Sequence, residues 1–155
     1  MLERQLAAIP MTRAMQVEVG PIETGRLRLR APLAANLNDK GCAFGGSLVS
    51  LMTLAGWALV ETRLLAAGHV GNEVYVADSE VRYKAPLWSD LEAEAVAAPG
   101  EDWDAFLEAF ARKGKARIMV DVAVPLPEGG IATTLRARYA AFPGPKPDAS
   151  TGDAA

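Results

Sequence analysis

One cysteine in 155 residues leaves no internal disulfide to staple the chain, so stability has to come from a buried core. The missing disulfide framework and the lack of a charged N-terminal segment leading into an apolar core and a small-residue cleavage site point to the cytoplasm. No aromatic-interleaved basic patch of the kind that grips nucleic-acid backbones and bases can be read. The 16 Lys and Arg are scattered among 19 Asp and Glu, and the formal charge is -3, so a nucleic-acid partner is not expected. No internal repeat or second domain is visible. The single histidine, His69, sits between Gly68 and a turn and reads as solvated. Long apolar runs are also scarce. The one candidate, Gly41 to Val60, is free of charge for twenty residues. It places Gly41, Gly45 and Gly46 first, and a helix starting there has about sixteen uncharged residues before Glu61, short of a bilayer span. A buried core helix is the expectation, with no membrane partner. Ser47, Ser50 and Thr53 lie on one face of it, where close packing on a sheet is possible.

Half of the residues are apolar, enough for one domain with its own core. Met15, Val17 and Val19 alternate with Gln16 and Glu18, and Leu27 and Leu29 with Arg26, Arg28 and Arg30. With Gly20, Pro21 and Gly25 between them, the two segments read as a β-hairpin. Beyond the core helix, VYVADSEVRY reads as a strand with Tyr75, Ala77, Ser79, Val81 and Tyr83 on one face, closing before Pro86. LEAEAVAA makes a shorter strand. Asp102 is placed to cap an amphipathic helix carrying Trp103, Phe106, Leu107 and Phe110 and ending at Gly114. KARIMVDVAV and IATTLRARYAAF alternate most plainly, joined by a turn over Pro125 to Gly130. The expectation is therefore one α+β domain over residues 1–142 and a disordered tail over 143–155.

The stretch NDKGCAFGGS leads straight into the apolar helix. Asn38, Gly41, Phe44, Gly45 and Gly46 form N-x-x-G-x-x-F-G-G; the helix follows directly, and VADSEVRYKAP closes on Pro86. In this order and spacing the three features resemble the hotdog fold, in which a curved antiparallel sheet wraps a long central helix. The resemblance covers residues 15 to 142. Its wording is closest to the acyl-thioester branch described as thioesterases and associated with malonyl-acyl-carrier-protein decarboxylation. That branch also occurs fused to an acetyltransferase-like domain, for which this chain has no counterpart.

The resemblance implies a site at the helix start. Hotdog thioesterases with an Asn and a His-Gly-Gly motif use a helix N–H to polarise the thioester carbonyl and a carboxylate further along the helix as base or nucleophile. Here Phe44 stands where the histidine would be, and Thr53 where the carboxylate would be. Glu61 lies about two turns further on and faces elsewhere. Decarboxylation of a malonyl thioester needs no base; it needs donors for the enolate oxygen, for which Gly45 and Gly46 are the candidates. Asn38 is the candidate to orient the malonyl group, because a neutral amide does not repel its charge. The implied reaction converts malonyl-acyl carrier protein to acetyl-acyl carrier protein, feeding initiation of fatty acid synthesis, without a cofactor or metal. Hydrolysis of an acyl-CoA or acyl-carrier-protein thioester is the alternative, and a non-catalytic carrier-binding domain a third.

Each residue also has a simpler role open to it. Gly45 and Gly46 can serve tight packing, Asn38 a turn, and Cys42 a small buried position. Asp78 and Ser79 lie on opposite faces of one strand, so at most one meets a given pocket. Phe44, Ser47, Arg82 and Lys84 are the substrate-binding candidates. Arg82, Lys84, Lys113 and Lys115 could form a basic entrance for an acidic carrier protein or for the phosphates of CoA. A single-copy hotdog chain is also expected to pair as a homodimer or homotetramer.

Overall fold

The computed structural model describes residues 1–145; the remainder of the predicted tail, 146–155, lies outside the described residues. Two short helices open the chain, α1 (Leu2–Ala7) and α2 (Pro10–Met15). They precede the hairpin strands β1 (Glu18–Glu23) and β2 (Arg26–Ala31), and one 3-10 turn (Leu33–Ala35) leads towards the central helix α3 (Gly45–Ala66). Then come β3 (Glu73–Tyr83), β4 (Leu91–Ala97), α4 (Trp103–Lys113), β5 (Ala116–Pro125) and β6 (Ile131–Phe142). All six strands form one antiparallel sheet in the order β1-β2-β4-β5-β6-β3.

The alternation seen in the sequence becomes the two faces of this sheet. Leu27 and Leu29, Ala93 and Ala95, Ile118, Val120 and Val122, and Leu135, Ala137 and Tyr139 all point inward and are essentially solvent-free. They receive Leu51, Met52, Ala55, Ala58, Leu59 and Leu64 of α3, which makes this helix the centre of the core. By length and composition α3 could cross a membrane, but half of its apolar window is buried inside the chain. The architecture is the hotdog fold, α+β.

Tyr139 fixes the centre of α3. Its hydroxyl donates to the Thr53 carbonyl at 2.8 Å, with the Trp57 N–H beside it, so a side chain from β6 enters the helix's own hydrogen-bond ladder. Gly56 makes this possible, since a Cβ there would lie 2.2 Å from the Tyr139 hydroxyl. Burial pushes the phenol pKa well above its ordinary value.

Several readings are corrected, and the N-terminal segment carried none. The N-terminal helices give no extended periodic signal, yet Leu2, Leu6 and Met15 are buried in the main core. Met15, expected in a strand, ends α2; Gln16 follows in the left-handed region at φ 56°, and β1 begins only at Glu18. In β3 a bulge between Val76 and Asp78 inserts a residue, so Val76 pairs with Tyr139 and Ser79 with Ala137. Tyr75 and Ala77 therefore do not share one face with Ser79, Val81 and Tyr83. Gly20 and Pro21, expected between the hairpin strands, lie inside β1, where the pairing shifts between Val19 and Ile22. His69, read as solvated, is half-buried with its ring edge-on to Phe110 at 4.9 Å; the other expected elements hold. The Asp102 carboxylate caps α4 by accepting from the Asp104 N–H at 2.9 Å, and Gly114 ends the helix at φ 71°.

Candidate active site

The loop before α3 is built around two asparagines. Asn36 is buried and donates its amide to the Met15 and Pro32 carbonyls at 2.9 and 2.8 Å, tying the loop to the N-terminal segment. Its own carbonyl accepts from the Phe44 N–H at 2.8 Å, while the Ala43 N–H donates to Leu87 at 2.8 Å. The chain is thus clamped from both sides as it enters the helix.

Asn38 organises the turn between these clamps. Its Oδ1 accepts from the Lys40 N–H at 2.8 Å and the Cys42 N–H at 3.1 Å, and its Nδ2 donates to the Cys42 sulfur at 3.0 Å. An Asn amide can donate two hydrogens and accept two. Three of these four are engaged within the turn. The remaining Nδ2 hydrogen has no partner among the described residues. Asn38 is thus a turn residue whose geometry leaves one donor available. Cys42 is buried as the other half of this ring.

Phe44 forms the N-cap with extended backbone and contributes no side-chain acceptor to the first turn of α3. The N–H groups of Gly45, Gly46 and Ser47 therefore have no helical partner and carry the positive end of the helix dipole. The two glycines do different work. A Cβ on Gly46 would lie 2.5 Å from the Phe44 ring, so Gly46 lets that ring fold over the helix start. A Cβ on Gly45 would meet Tyr83 only at ordinary contact, 3.4 Å, and the Tyr83 hydroxyl donates to the Gly45 carbonyl at 3.3 Å. Phe44, Tyr83, Trp88 and Leu37 are each more than half exposed and give this end of the helix an apolar rim. Trp88 stands against Gly41 and gave no signal in the sequence. Tyr83 could have been found from its place at the end of β3, on the Val81 face that packs towards α3.

The other candidates are distributed differently. Ser47 is buried within the first turn and does not line the rim. Lys84 follows Tyr83 at this end, exposed, with its N–H bonded to Ala132. Arg82 does not join the site. It pairs in register with Thr134, points to the opposite face of the sheet, and is ion-paired with Glu80 at 2.8 Å. There it lines an outer groove of about 470 Å³ with Glu94, Asp121 and Arg136. Asp78 shares that face, 3.7 Å from Arg138. Lys113 and Lys115 lie beyond the far end of the sheet, next to Ala116, which is paired with Ala141.

Thr53, the position to which the resemblance assigns the thioesterase acid, is not a carboxylate. The Thr53 hydroxyl donates to the Val49 carbonyl of its own helix at 2.7 Å. Glu61 lies about 24 Å along α3 from the first turn, in a small cavity of about 50 Å³ under α1 with Gln5, His69 and Asn72. Burial raises its pKa above the ordinary value, and a hydrogen bond with Gln5 works in the other direction. Among the described residues no group of three or more His, Cys, Asp or Glu is placed to hold a metal ion.

Against known proteins, residues 1–143 match the family model for the YiiD C-terminal domain, described as a "putative thioesterase". Among solved structures, the chain is similar to a protein of unknown function from Chlorobaculum tepidum, with 28% identity, coverage of 92% of this chain and 93% of that one, and a TM-score of 0.85. It is similar at 26% identity to a protein from Shewanella oneidensis described as a putative thioesterase, covering 92% and 94% of the two chains with a TM-score of 0.79. A Pseudomonas aeruginosa protein described as a probable thioesterase shares the fold at 24% identity, 87% and 88% coverage and a TM-score of 0.73.

Proposed function

Because the chain belongs to the YiiD C-terminal putative thioesterase family, we propose that it acts on acyl thioesters and decarboxylates malonyl-acyl carrier protein to the acetyl form. The observation that carries this reading is the pairing of free donors with a missing base. The first turn of α3 offers the Gly45 and Gly46 N–H groups without a cap, while the position of the hydrolytic carboxylate is held by Thr53, its hydroxyl turned into its own helix.

The chemistry follows from that arrangement. With the thioester oxygen on the Gly45 and Gly46 N–H groups, the remaining Asn38 Nδ2 hydrogen can hold the malonyl carboxylate out of the thioester plane. The bond between that carboxylate and the α-carbon breaks, CO2 leaves, and its electron pair passes through the α-carbon to the thioester oxygen as an enolate. Each N–H then meets more negative charge than in the ground state, which is the condition for catalysis. Water returns a proton to the α-carbon. The apolar rim of Phe44, Tyr83 and Trp88 favours the neutral product over the charged group.

The protein works as a homodimer in this proposal. β3 is an eleven-residue edge strand bonded on one side only, to β6, and it exposes Tyr75, Val76 and Tyr83. Beside it, Gly46, Val49, Ser50, Thr53 and Trp57 form a half-exposed stripe on α3. An open apolar edge next to an open helix face is a two-fold contact in waiting.

The deciding experiment incubates malonyl-acyl carrier protein with the protein and follows mass. Loss of CO2 with the thioester intact is expected. The family description favours hydrolysis as the second reading, and loss of the whole acyl group would establish it. No change would leave a carrier-binding domain.

A further inference from the structure

The sequence ARKGKAR places Arg112, Lys113, Lys115 and Arg117 within six residues, and the structure presents all four on the surface where α4 ends and β5 begins. Clustering, together with the lack of ion pairs, marks them out: Arg4, Arg13, Arg63 and Lys84 also have no carboxylate within 4 Å among the described residues, but none of them stands in a run of cations. Arg26, Arg28, Arg30, Arg82, Arg136 and Arg138 each lie within 4 Å of a carboxylate across the outer face of the sheet, and Lys40 pairs with Asp39. None of the four in the run has such a partner among the described residues. Glu108 stands one turn before Arg112 on α4 and forms no ion pair with it. The α4 dipole accounts for cations in its last turn, Arg112 and Lys113. It does not account for Lys115 and Arg117, which follow the reversal at Gly114 and extend the same charge beyond the helix.

We infer that this run is the docking surface for an acidic carrier protein bearing the thioester. The inference rests on the acyl-thioester reading above and selects these residues over Arg82 and Lys84. A chain with a net charge of -3 offers an acidic partner no overall attraction. One concentrated unpaired cationic run therefore sets the orientation of approach.

The register of the sheet shows which site it serves. Ala116 pairs with Ala141 and Val124 with Thr133, while Glu73 pairs with Phe142 and Tyr83 with Thr133. The run therefore lies at the Glu73 end of the sheet, about 26 Å of strand from the Tyr83 end where α3 starts. A two-fold contact that pairs β3 with its copy and keeps both helices on one side of the sheet is antiparallel. It brings the Glu73 end of one protomer beside the Tyr83 end of the other. A carrier seated on the run of one protomer then delivers its thioester to the helix start of the partner.

The test measures binding of holo-acyl carrier protein to the full chain by fluorescence anisotropy, comparing wild type with the double variant Lys113→Glu/Lys115→Glu. At low salt the variant is expected to bind at least tenfold more weakly, with an unchanged melting temperature, and the difference should vanish at high salt. Arg82→Glu is expected to change binding by less than the double variant. Equal carrier binding by wild type and double variant at low salt would overturn the inference, as would an equally large effect of Arg82→Glu. If the KM for malonyl-CoA rose in the double variant as much as that for the carrier substrate, the run would read a nucleotide phosphate and the carrier assignment would fall. Salt-sensitive carrier binding that depends on Lys113 and Lys115 without any decarboxylation would retain the inference and refute the decarboxylase reading. In mixed dimers with the double variant on one chain and Asn38→Ala on the other, retained turnover of the carrier substrate supports delivery across the pair. Its loss assigns the run to its own chain's site.

Discussion

Gly56→Ala tests whether the centre of α3 is held as described. In an ordinary helix interior, alanine is more favourable than glycine by about 1 kcal/mol. Here the added methyl would lie 2.2 Å from the Tyr139 hydroxyl and 2.6 Å from the ring carbon that bears it. Tyr139 is fully buried on β6 and has no solvent-facing path of retreat. The ring or the helix must shift, which costs about 1–3 kcal/mol as overpacking. The shift also pulls the hydroxyl from the Thr53 carbonyl, leaving a buried donor unsatisfied for about another 1–3 kcal/mol. Against the propensity gain, the expected net destabilisation is about 3 kcal/mol, or about 6–12 °C in melting temperature for a domain of this size. Urea unfolding and thermal melting measure it directly. The double variant Gly56→Ala/Tyr139→Phe removes the atom closest to the new methyl and should lose at least about 1 kcal/mol less than the sum of the single changes. A Gly56→Ala protein as stable as wild type, or more stable, would refute the insertion of Tyr139 into the helix ladder.

Asn38→Ala should reduce decarboxylation about a hundredfold by mass assay with the protein still folded, and Asn38→Asp at least as far, because it sets a negative charge beside the malonyl carboxylate. Full activity in both would leave Asn38 with its turn role alone. Glu61→Gln should raise the melting temperature at neutral pH. Its carboxyl pKa is raised by burial, so the folded state favours the protonated form, and the wild type loses stability as pH rises through the folded pKa. The advantage of Gln should therefore disappear below pH 4.5, the ordinary carboxyl value. Asp102→Ala should cost about 1 kcal/mol by removing the cap of α4, read by urea unfolding. Val76→Lys should turn a dimer at micromolar concentration into a monomer by sedimentation; a dimer of unchanged strength would place the contact away from β3.

The sheet and central helix were legible because β2, β4, β5 and β6 each bury one face. Period-two alternation in β2, β5 and β6 records that burial directly, and the apolar run records the helix packed against it. The N-terminal helices were not legible for a matching reason. Each spans six residues, too short to show helical periodicity, and together they bury only a few side chains against the rest of the chain. The bulge in β3 was hidden because the residues around it are exposed on both faces of the strand. With no burial to distinguish Tyr75 from Val76, the alternation carried no phase.

The site was legible in its residues and not in the division of work among them. The sequence allowed the glycine pair either close packing or exposed backbone, and the tight packing falls on Gly46 alone. Gly46 yields its space to the Phe44 ring, while Gly45 needs no such allowance and lies under Tyr83. Asn38 was open between a turn and substrate contact, and those alternatives are not exclusive. Three of its hydrogen-bonding positions hold the turn, and because they hold it the fourth is fixed in direction. A donor on a free rotor would lose entropy on engaging a substrate. One already locked by Lys40 and Cys42 has met that cost during folding. What looked like a structural asparagine is for that reason the better candidate for positioning a malonyl carboxylate, and weakening the turn should impair catalysis even with the amide retained. Cys42→Ala, which removes only the sulfur acceptor, is the variant that tests this: a fall in kcat with little change in melting temperature is expected, and unchanged kcat would show that the turn does not set the direction of the Asn38 donor.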